Sequence, residues 1–278
     1  MENQSATQKD QNLKQNMSKI KHKIAIISGK GGVGKSTVAA NLATAFALDG
    51  YKNRVGMLDV DIHGPCIPKL LGVKGAKLQV TPDGAYPVTN SEGIKVVSMD
   101  FLVASQETPI VWRGPLKMRA IKQFLSDFLW GELDFLFIDA PPGTGDEPLS
   151  TMQLLPEMDG TIIVTIPSQV SEDVVKKAVS FSRQMKIPVI GIVENMSGFV
   201  CPKCGETINI LGAGAGKRLA EELNVPFLGQ IPMDPKICEE ADKGTSFLKE
   251  YPDSAATKAF KEIVEKVKDF LKNKKETE

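Results

Sequence analysis

The chain has 278 residues, 42 % of them hydrophobic, and its 34 Lys and Arg balance 34 Asp and Glu, for a formal net charge of zero. That length fits one long α/β domain or two shorter ones. A neutral chain has no strong field of one sign, which argues against a dedicated duplex-DNA binder, and no nucleic-acid partner is expected. Charged residues at 24 % and 24 glycines exclude wholesale disorder. No apolar run reaches about 18 residues, so neither a bilayer span nor a membrane partner is expected. Residues 1–23 lack the apolar core of a secretory signal, and a cytoplasmic protein is expected. Four cysteines are too few for a disulfide scaffold.

Residues 1–21 are rich in Gln, Asn, Lys and Ser and read as a disordered polar tail. Order is expected from Lys23. Residues 24–28, Ile-Ala-Ile-Ile-Ser, form a β-branched apolar run typical of a strand buried on both faces. Similar runs recur at 54–58, 94–99, 134–138, 161–166, 188–193 and 226–231. Helical patterns lie between most of them, at 35–48, 116–129, 172–185 and 215–223. This alternation predicts an α/β fold, a mostly parallel sheet with helices on both faces. A final helix, capped by Asp253 or Ser254, presents Phe260, Ile263, Val264, Val267, Phe270 and Leu271 at i, i+3, i+4 spacing. With no convincing linker, one domain over 22–273 is expected, with a frayed end at 274–278.

The first strand runs into Gly29-Lys30-Gly31-Gly32-Val33-Gly34-Lys35-Ser36-Thr37. Gly29, Gly31 and Gly34 fit the dinucleotide fingerprint, and Asp59 would serve as its acidic partner. Gly29, Gly34, Lys35 and Ser36 fit the P-loop. The chemistry favours the P-loop, because a dinucleotide site has no use for Lys-Ser-Thr here. Glycines let backbone N–H groups close around phosphate oxygens at a helix N-terminus. Lys35 would reach the β and γ phosphates of ATP, Ser36 would ligate Mg²⁺, and Thr37 would meet the α-phosphate. Two strand ends supply carboxylates for the metal and water: Asp59-Val60-Asp61, and Asp139 after Phe135-Leu136-Phe137-Ile138. An apolar strand ending in Asp is the Walker B arrangement.

Cys201-Pro202-Lys203-Cys204-Gly205 is a lone C-x-x-C. It fits half of a zinc knuckle, a redox dithiol, or half of an iron–sulfur site, and spacing does not separate these. A twofold dimer would bring four thiolates together about one axis. Cys238 reads as a small packed hydrophobe on a helix, and Cys66 as an idle substitution or an extra thiol near the nucleotide.

Lys30 gives the loop the form KGGVGKST, which resembles the deviant Walker A motif of the P-loop ATPases that include MinD and ParA. Within that class, DVDIHGPCIPKLLGV, FIDAPPGTGDEPLS, VENMSGFVCPKCG and GQIPMD resemble the Mrp/ApbC iron–sulfur cluster carriers, over residues 22–270. The resemblance implies several roles. Lys30 is the signature lysine reaching a partner subunit's nucleotide. Asp61 is the switch residue for water and Mg²⁺, with Asp59 beside it, and Asp139 is the Walker B residue. Asn195 recognises adenine, bordered by Pro232 and Asp234. Cys201 and Cys204 of two chains bridge a labile [4Fe-4S] cluster. The implied activity is ATP hydrolysis by a homodimer that receives a cluster from a scaffold or donor and passes it to apo-proteins. A MinD- or ParA-like positioning ATPase with structural zinc at the cysteines is the other reading.

Overall fold

The structure is a computed structural model. It describes residues 11–61, 64–102, 114–155, 157–168, 171–201 and 203–277. Residues 11–18 form helix α1, which leads into β1 (Ile20–Ile27). Next come α2 (Lys35–Phe46), β2 (Val55–Asp59), a one-turn α3 (Ile67–Leu70), β3 (Gln79–Thr81), β4 (Gly84–Tyr86), β5 (Val88–Thr89) and β6 (Lys95–Ser98). The chain continues through α4 (Gly114–Ser126), β7 (Leu133–Asp139), α5 (Asp146–Leu154), β8 (Gly160–Thr165), α6 (Glu172–Gln184) and β9 (Val189–Glu194). It ends with β10 (Phe199–Val200), β11 (Thr207–Ile208), α7 (Ala215–Leu223), β12 (Phe227–Gln230), α8 (Pro235–Lys243), α9 (Phe247–Glu250) and α10 (Ala255–Thr277).

Eight strands make one sheet in the order β12-β9-β8-β1-β7-β2-β6-β5. Every pairing is parallel except that of the two-residue edge strand β5 with β6. The expected parallel α/β fold is therefore the one found. Side chains alternate between two cores, as the period of two in a strand requires. Ile24 and Ile26 of β1 face α2 and α10, while Ala25 and Ile27 face α4, α6 and α7. Ser254 caps the last helix, its hydroxyl accepting the Thr257 N–H at 3.0 Å. Phe260, Ile263, Val264, Val267 and Leu271 are buried, with Phe270 half-buried against them.

The first core has an aromatic centre. Phe46 on α2 lies 4.5 Å from the Phe135 ring and 5.2 Å from that of Phe137, and is fully buried. Phe46→Ala should cost about 3–5 kcal/mol, by lost transfer energy plus a cavity that β7 cannot collapse into. A urea titration checks it: the midpoint should fall with the slope unchanged.

Two boundary expectations are corrected. Residues 11–21 are not a tail: α1 buries Leu13 and Met17 in the second core, and β1 starts at Ile20. Two apolar residues four apart suffice because polar groups fix the C-terminal end of the helix and the turn into β1. The Asn16 amide donates to the carbonyl of Ser126 (2.8 Å), the last residue of α4, and to that of Phe128 (3.2 Å) just beyond it. The buried Lys23 ammonium donates to the carbonyl of Ile20 at 3.2 Å. At the other end, α10 continues through 274, where Lys274 pairs with Asp159 at 3.6 Å, and on to Thr277. Residues 1–10 and 278 lie outside the described set.

Candidate functional site

The strand order sets the C-terminal ends of β1, β7 and β2 side by side. Register pairs Ile26 with Asp139 and Asp139 with Asp59. Open α/β sheets bind ligands at this edge. Here the loop 28–34 turns into α2. Gly32 and Gly34 hold left-handed backbone, φ 80° and 77°. Nothing described lies within 4 Å of where a Cβ would stand on Gly31 or Gly32, so the exposed rim of the loop has room for a phosphate. The loop's other side is tight. A Cβ on Gly29 would meet the Val174 carbonyl oxygen at 2.3 Å, and one on Gly34 would meet Asn195 Nδ2 at 2.3 Å. Gly34→Ala is therefore strained twice, in φ and in space. It should weaken nucleotide binding at least about tenfold while the fold survives, as titration calorimetry with ATP would show.

Lys35 is buried at the start of α2 and bonds Asp139 Oδ1 at 2.5 Å. The Ser36 hydroxyl donates to Asp139 Oδ2 at 2.5 Å, and Lys35 Nζ lies 3.7 Å from Asp61 Oδ2. Burial raises the Asp139 carboxyl above its ordinary pKa, against the pull of Lys35. Burial, with Asp139 next to it, raises the Asp59 carboxyl well above the usual range. Asp59 accepts from the Ser98 hydroxyl (3.0 Å) and from the N–H groups of Asp61 (3.2 Å) and Ile67 (3.3 Å). It braces the loop after β2 from below, and Asp61 is the carboxylate nearer Lys35. The Ser36 hydroxyl with the Asp139 and Asp61 carboxylates is a set of hard oxygen donors, which suits Mg²⁺. Thr37 follows, half-buried in the first turn of α2, and Lys30 stands half-buried on the loop, forming no ion pair among the described residues.

Cys66 belongs to this cluster. Its thiol bonds Ser36, and burial raises its pKa. It is thus a thiol close to the P-loop. Asn195, at the end of β9, is buried and donates one amide hydrogen to the Val33 carbonyl at 3.0 Å. Its other amide hydrogen and its oxygen are the donor–acceptor pair that a base edge needs. Pro232 is half-buried in the loop after β12. Asp234 spends its side chain on capping α8, accepting the Lys236 N–H at 3.0 Å.

Both cysteines of the C-x-x-C sit at the turn of the small β10–β11 hairpin, Cys201 half-buried and Cys204 exposed. The Cys201 N–H bonds Glu206 O and the Gly205 N–H bonds Cys201 O, each at 2.9 Å. Backbone N–H groups of Cys204 and Lys203 point at the Cys201 sulfur and lower its pKa, the electrostatics of a thiolate ligand. Among the described residues no group of three or more His, Cys, Asp or Glu gathers that could hold a metal ion, so each chain offers two thiols. Cys238 corrects an expectation: it is exposed on α8, one position past the inward-facing Ile237. Sequence reasoning also missed Ser98, the polar end of an apolar strand, and Glu194, which is fully buried beside Asn195. A buried acid inside a β-branched run was the available signal.

Residues 19–268 match the family described as NUBPL iron-transfer P-loop NTPase, of the ParA type. A protein from Methanocaldococcus jannaschii named "Iron-sulfur cluster carrier protein" is 52 % identical over 269 residues, covering 97 % of this chain and 91 % of that one. A Dictyostelium discoideum protein named "Cytosolic Fe-S cluster assembly factor NUBP2 homolog" is 49 % identical, covering 90 % of this chain and 95 % of its own. Among solved structures, a nucleotide-binding protein from Archaeoglobus fulgidus in complex with ADP superposes with a TM-score of 0.75 at 43 % identity, over 84 % of this chain and 91 % of that one. The MinD protein of Pyrococcus horikoshii, complexed with Mg-ADP, shares the fold at 24 % identity and a TM-score of 0.65, covering 89 % of this chain and 96 % of its own. Among the described residues no helix is long and apolar enough to cross a membrane. A P-loop whose lysine meets a strand-end aspartate, a parallel sheet around it and a match over nearly the whole chain agree: this chain belongs to the NUBPL iron-transfer P-loop NTPase family.

Proposed function

We propose that the protein is a cytoplasmic, ATP-hydrolysing carrier of iron–sulfur clusters. Two copies hold one [4Fe-4S] cluster as cargo between their C-x-x-C hairpins. They accept it from a scaffold or donor protein and deliver it to apo-proteins. The observation that carries this reading is a two-thiol hairpin, its Cys204 exposed, at the sheet edge that bears the P-loop, with Asn195 and Ser197 of the loop after β9 linking them. The names of relatives about half identical to this chain support it.

In this reading the phosphates of ATP draw Lys35 away from Asp139. The freed Asp139 carboxylate, the Ser36 hydroxyl and Asp61 would then hold Mg²⁺. The metal's chemistry is to neutralise charge building on the β and γ phosphates. Asp61 orients the attacking water. Lys30 of each chain reaches the partner's nucleotide and adds positive charge at the transferring phosphoryl group. Asn195 reads adenine, with Pro232 and Asp234 beside it. The exposed Cys204 suits hand-over, since a recipient thiolate can reach the cluster without unfolding the carrier.

Anaerobic reconstitution with iron and sulfide tests the reading. A broad absorption band near 400 nm with about four irons per two chains is expected. Tightly held zinc and no band would defeat it and favour a nucleotide-switched protein with a structural metal.

A further inference from the structure

Glu194 is fully buried, yet no Lys or Arg pairs with it among the described residues. Its charge is held by four neutral donors instead. Oε1 accepts from the Ser197 hydroxyl at 2.6 Å, the Gly214 N–H at 3.0 Å and Gln230 Nε2 at 2.9 Å. Oε2 accepts from the Gly216 N–H at 2.5 Å. These donors occupy particular places in the chain. Ser197 begins the segment that rises into the cysteine hairpin, and Gly214 ends it. One carboxylate therefore clasps the entry and the exit of the segment that bears Cys201 and Cys204.

The other side of the clasp faces the P-loop. Glu194 is bonded through the backbone to Asn195, whose amide rests on Val33 O and touches the space above Gly34. The backbone around Glu194 is fixed as well. The Asn195 N–H bonds Thr165 O at 2.8 Å, and Glu194 O accepts from the Ile231 N–H at 2.9 Å. A shift of Asn195 thus cannot be absorbed by strand β9 fraying. It has to reach the carboxylate, and through it Ser197, Gly214 and the helix α7 that Gly214 opens. That helix has no acidic residue in its first turn and Gly at its cap, so Glu194 supplies the anion its N-terminus lacks.

We propose that Glu194 is a positioning residue that couples the nucleotide site to the cysteine hairpin, transmitting the setting of Asn195 to the spacing and exposure of Cys201 and Cys204. This deepens the function proposed above and rests on its assignment of Asn195 to the base. It does not require a cluster to be bound. Glutamine at 194 keeps the shape but turns one oxygen into an NH₂. That NH₂ faces N–H donors, so at least one of the four bonds is lost and the clasp loosens. If Glu194 were only a cap for α7, Glu194→Gln would lower stability and leave the two sites' relation intact.

The test measures alkylation of Cys201 and Cys204 by iodoacetamide in the full-length, metal-free protein, followed by peptide mass spectrometry, with and without saturating MgADP. Wild type should show at least about a fivefold change in rate on nucleotide binding, the low end of ordinary coupling between sites. Glu194→Gln should bring that ratio close to one while ADP still binds and far-ultraviolet dichroism is unchanged. If Glu194→Gln does not fold, Ser197→Ala removes one donor and leaves the carboxylate, and it should at least halve the ratio. A wild-type ratio of one overturns the proposal, and so does a variant that folds, binds ADP and keeps the wild-type ratio. Iron content after reconstitution is measured separately. A chain that takes up no cluster but shows the nucleotide-dependent alkylation would defeat the carrier reading and leave the coupling standing.

Discussion

Lys35→Ala is expected to lower ATP affinity by at least about 100-fold, or roughly 2.7 kcal/mol. The charged donor lost is a buried one, and charge-assisted bonds to phosphate are among the strongest that side chains make. The same substitution acts on the empty protein. It removes the cation bonded to Asp139 and close to Asp61, and leaves Asp59 and Asp139 side by side in the core. Stranding one member of a buried pair costs about 3–5 kcal/mol when the remaining charge stays. Both carboxyls are already pushed toward protonation by burial, so part of that cost is relieved by proton uptake. The double variant Lys35→Ala with Asp139→Asn separates the two effects. It should regain stability in a urea titration and still fail to bind ATP by calorimetry. Wild-type ATP affinity in Lys35→Ala would remove the P-loop role from this lysine.

Cys201→Ala or Cys204→Ala is expected to abolish the reconstituted absorption band and its iron, while ATP affinity stays within about twofold. In a dimer either change takes away two of four thiolates at once, and a [4Fe-4S] cluster is held by four. The two other cysteines cannot replace them. Cys66 is engaged with Ser36 below the P-loop, where burial disfavours its thiolate, and Cys238 stands alone on α8. Nucleotide binding should survive because the substitution takes away only a thiol in the hairpin turn and leaves the Asn195 bond to Val33 O and the Glu194 clasp in place. Survival of the band in both variants would move the cluster site elsewhere.

The sheet was legible because its strands are buried on both faces and so read as unbroken apolar runs. The boundaries predicted at 24–28, 134–138 and 161–166 fall within or close to β1, β7 and β8. The P-loop was legible for a local reason: its glycines, Lys35 and Ser36 act within one turn, so their spacing carries the chemistry. What stayed hidden depends on partners far along the chain. Asn16 earns its place only by meeting α4 more than a hundred residues later, and α1 without that contact looks like solvent-loving sequence. Ser98 matters only because register sets it opposite Asp59. The two-residue strands β5, β10 and β11 are too short to show alternation. Cys238 was misread because an isolated cysteine carries no directional pattern, and its exposure follows from the phase set by Ile237.

The strand order also governs when the protein can take shape on the ribosome. The first strand of the sheet, β1, is hydrogen-bonded on one side to β7 and on the other to β8, both more than a hundred residues further along the chain. Lys35 is likewise translated more than a hundred residues before Asp139, its partner. A chain that has emerged only as far as residue 132 therefore carries an apolar β1 with two unpaired edges and a glycine loop still without Asp139. At ordinary synthesis rates of about 5–20 residues per second, that interval lasts several seconds. Contacts of such long sequence separation make folding slow. Nascent chains stalled before residue 133 should thus be protease-sensitive along β1, and chains stalled far enough past 165 to clear the exit tunnel should be protected.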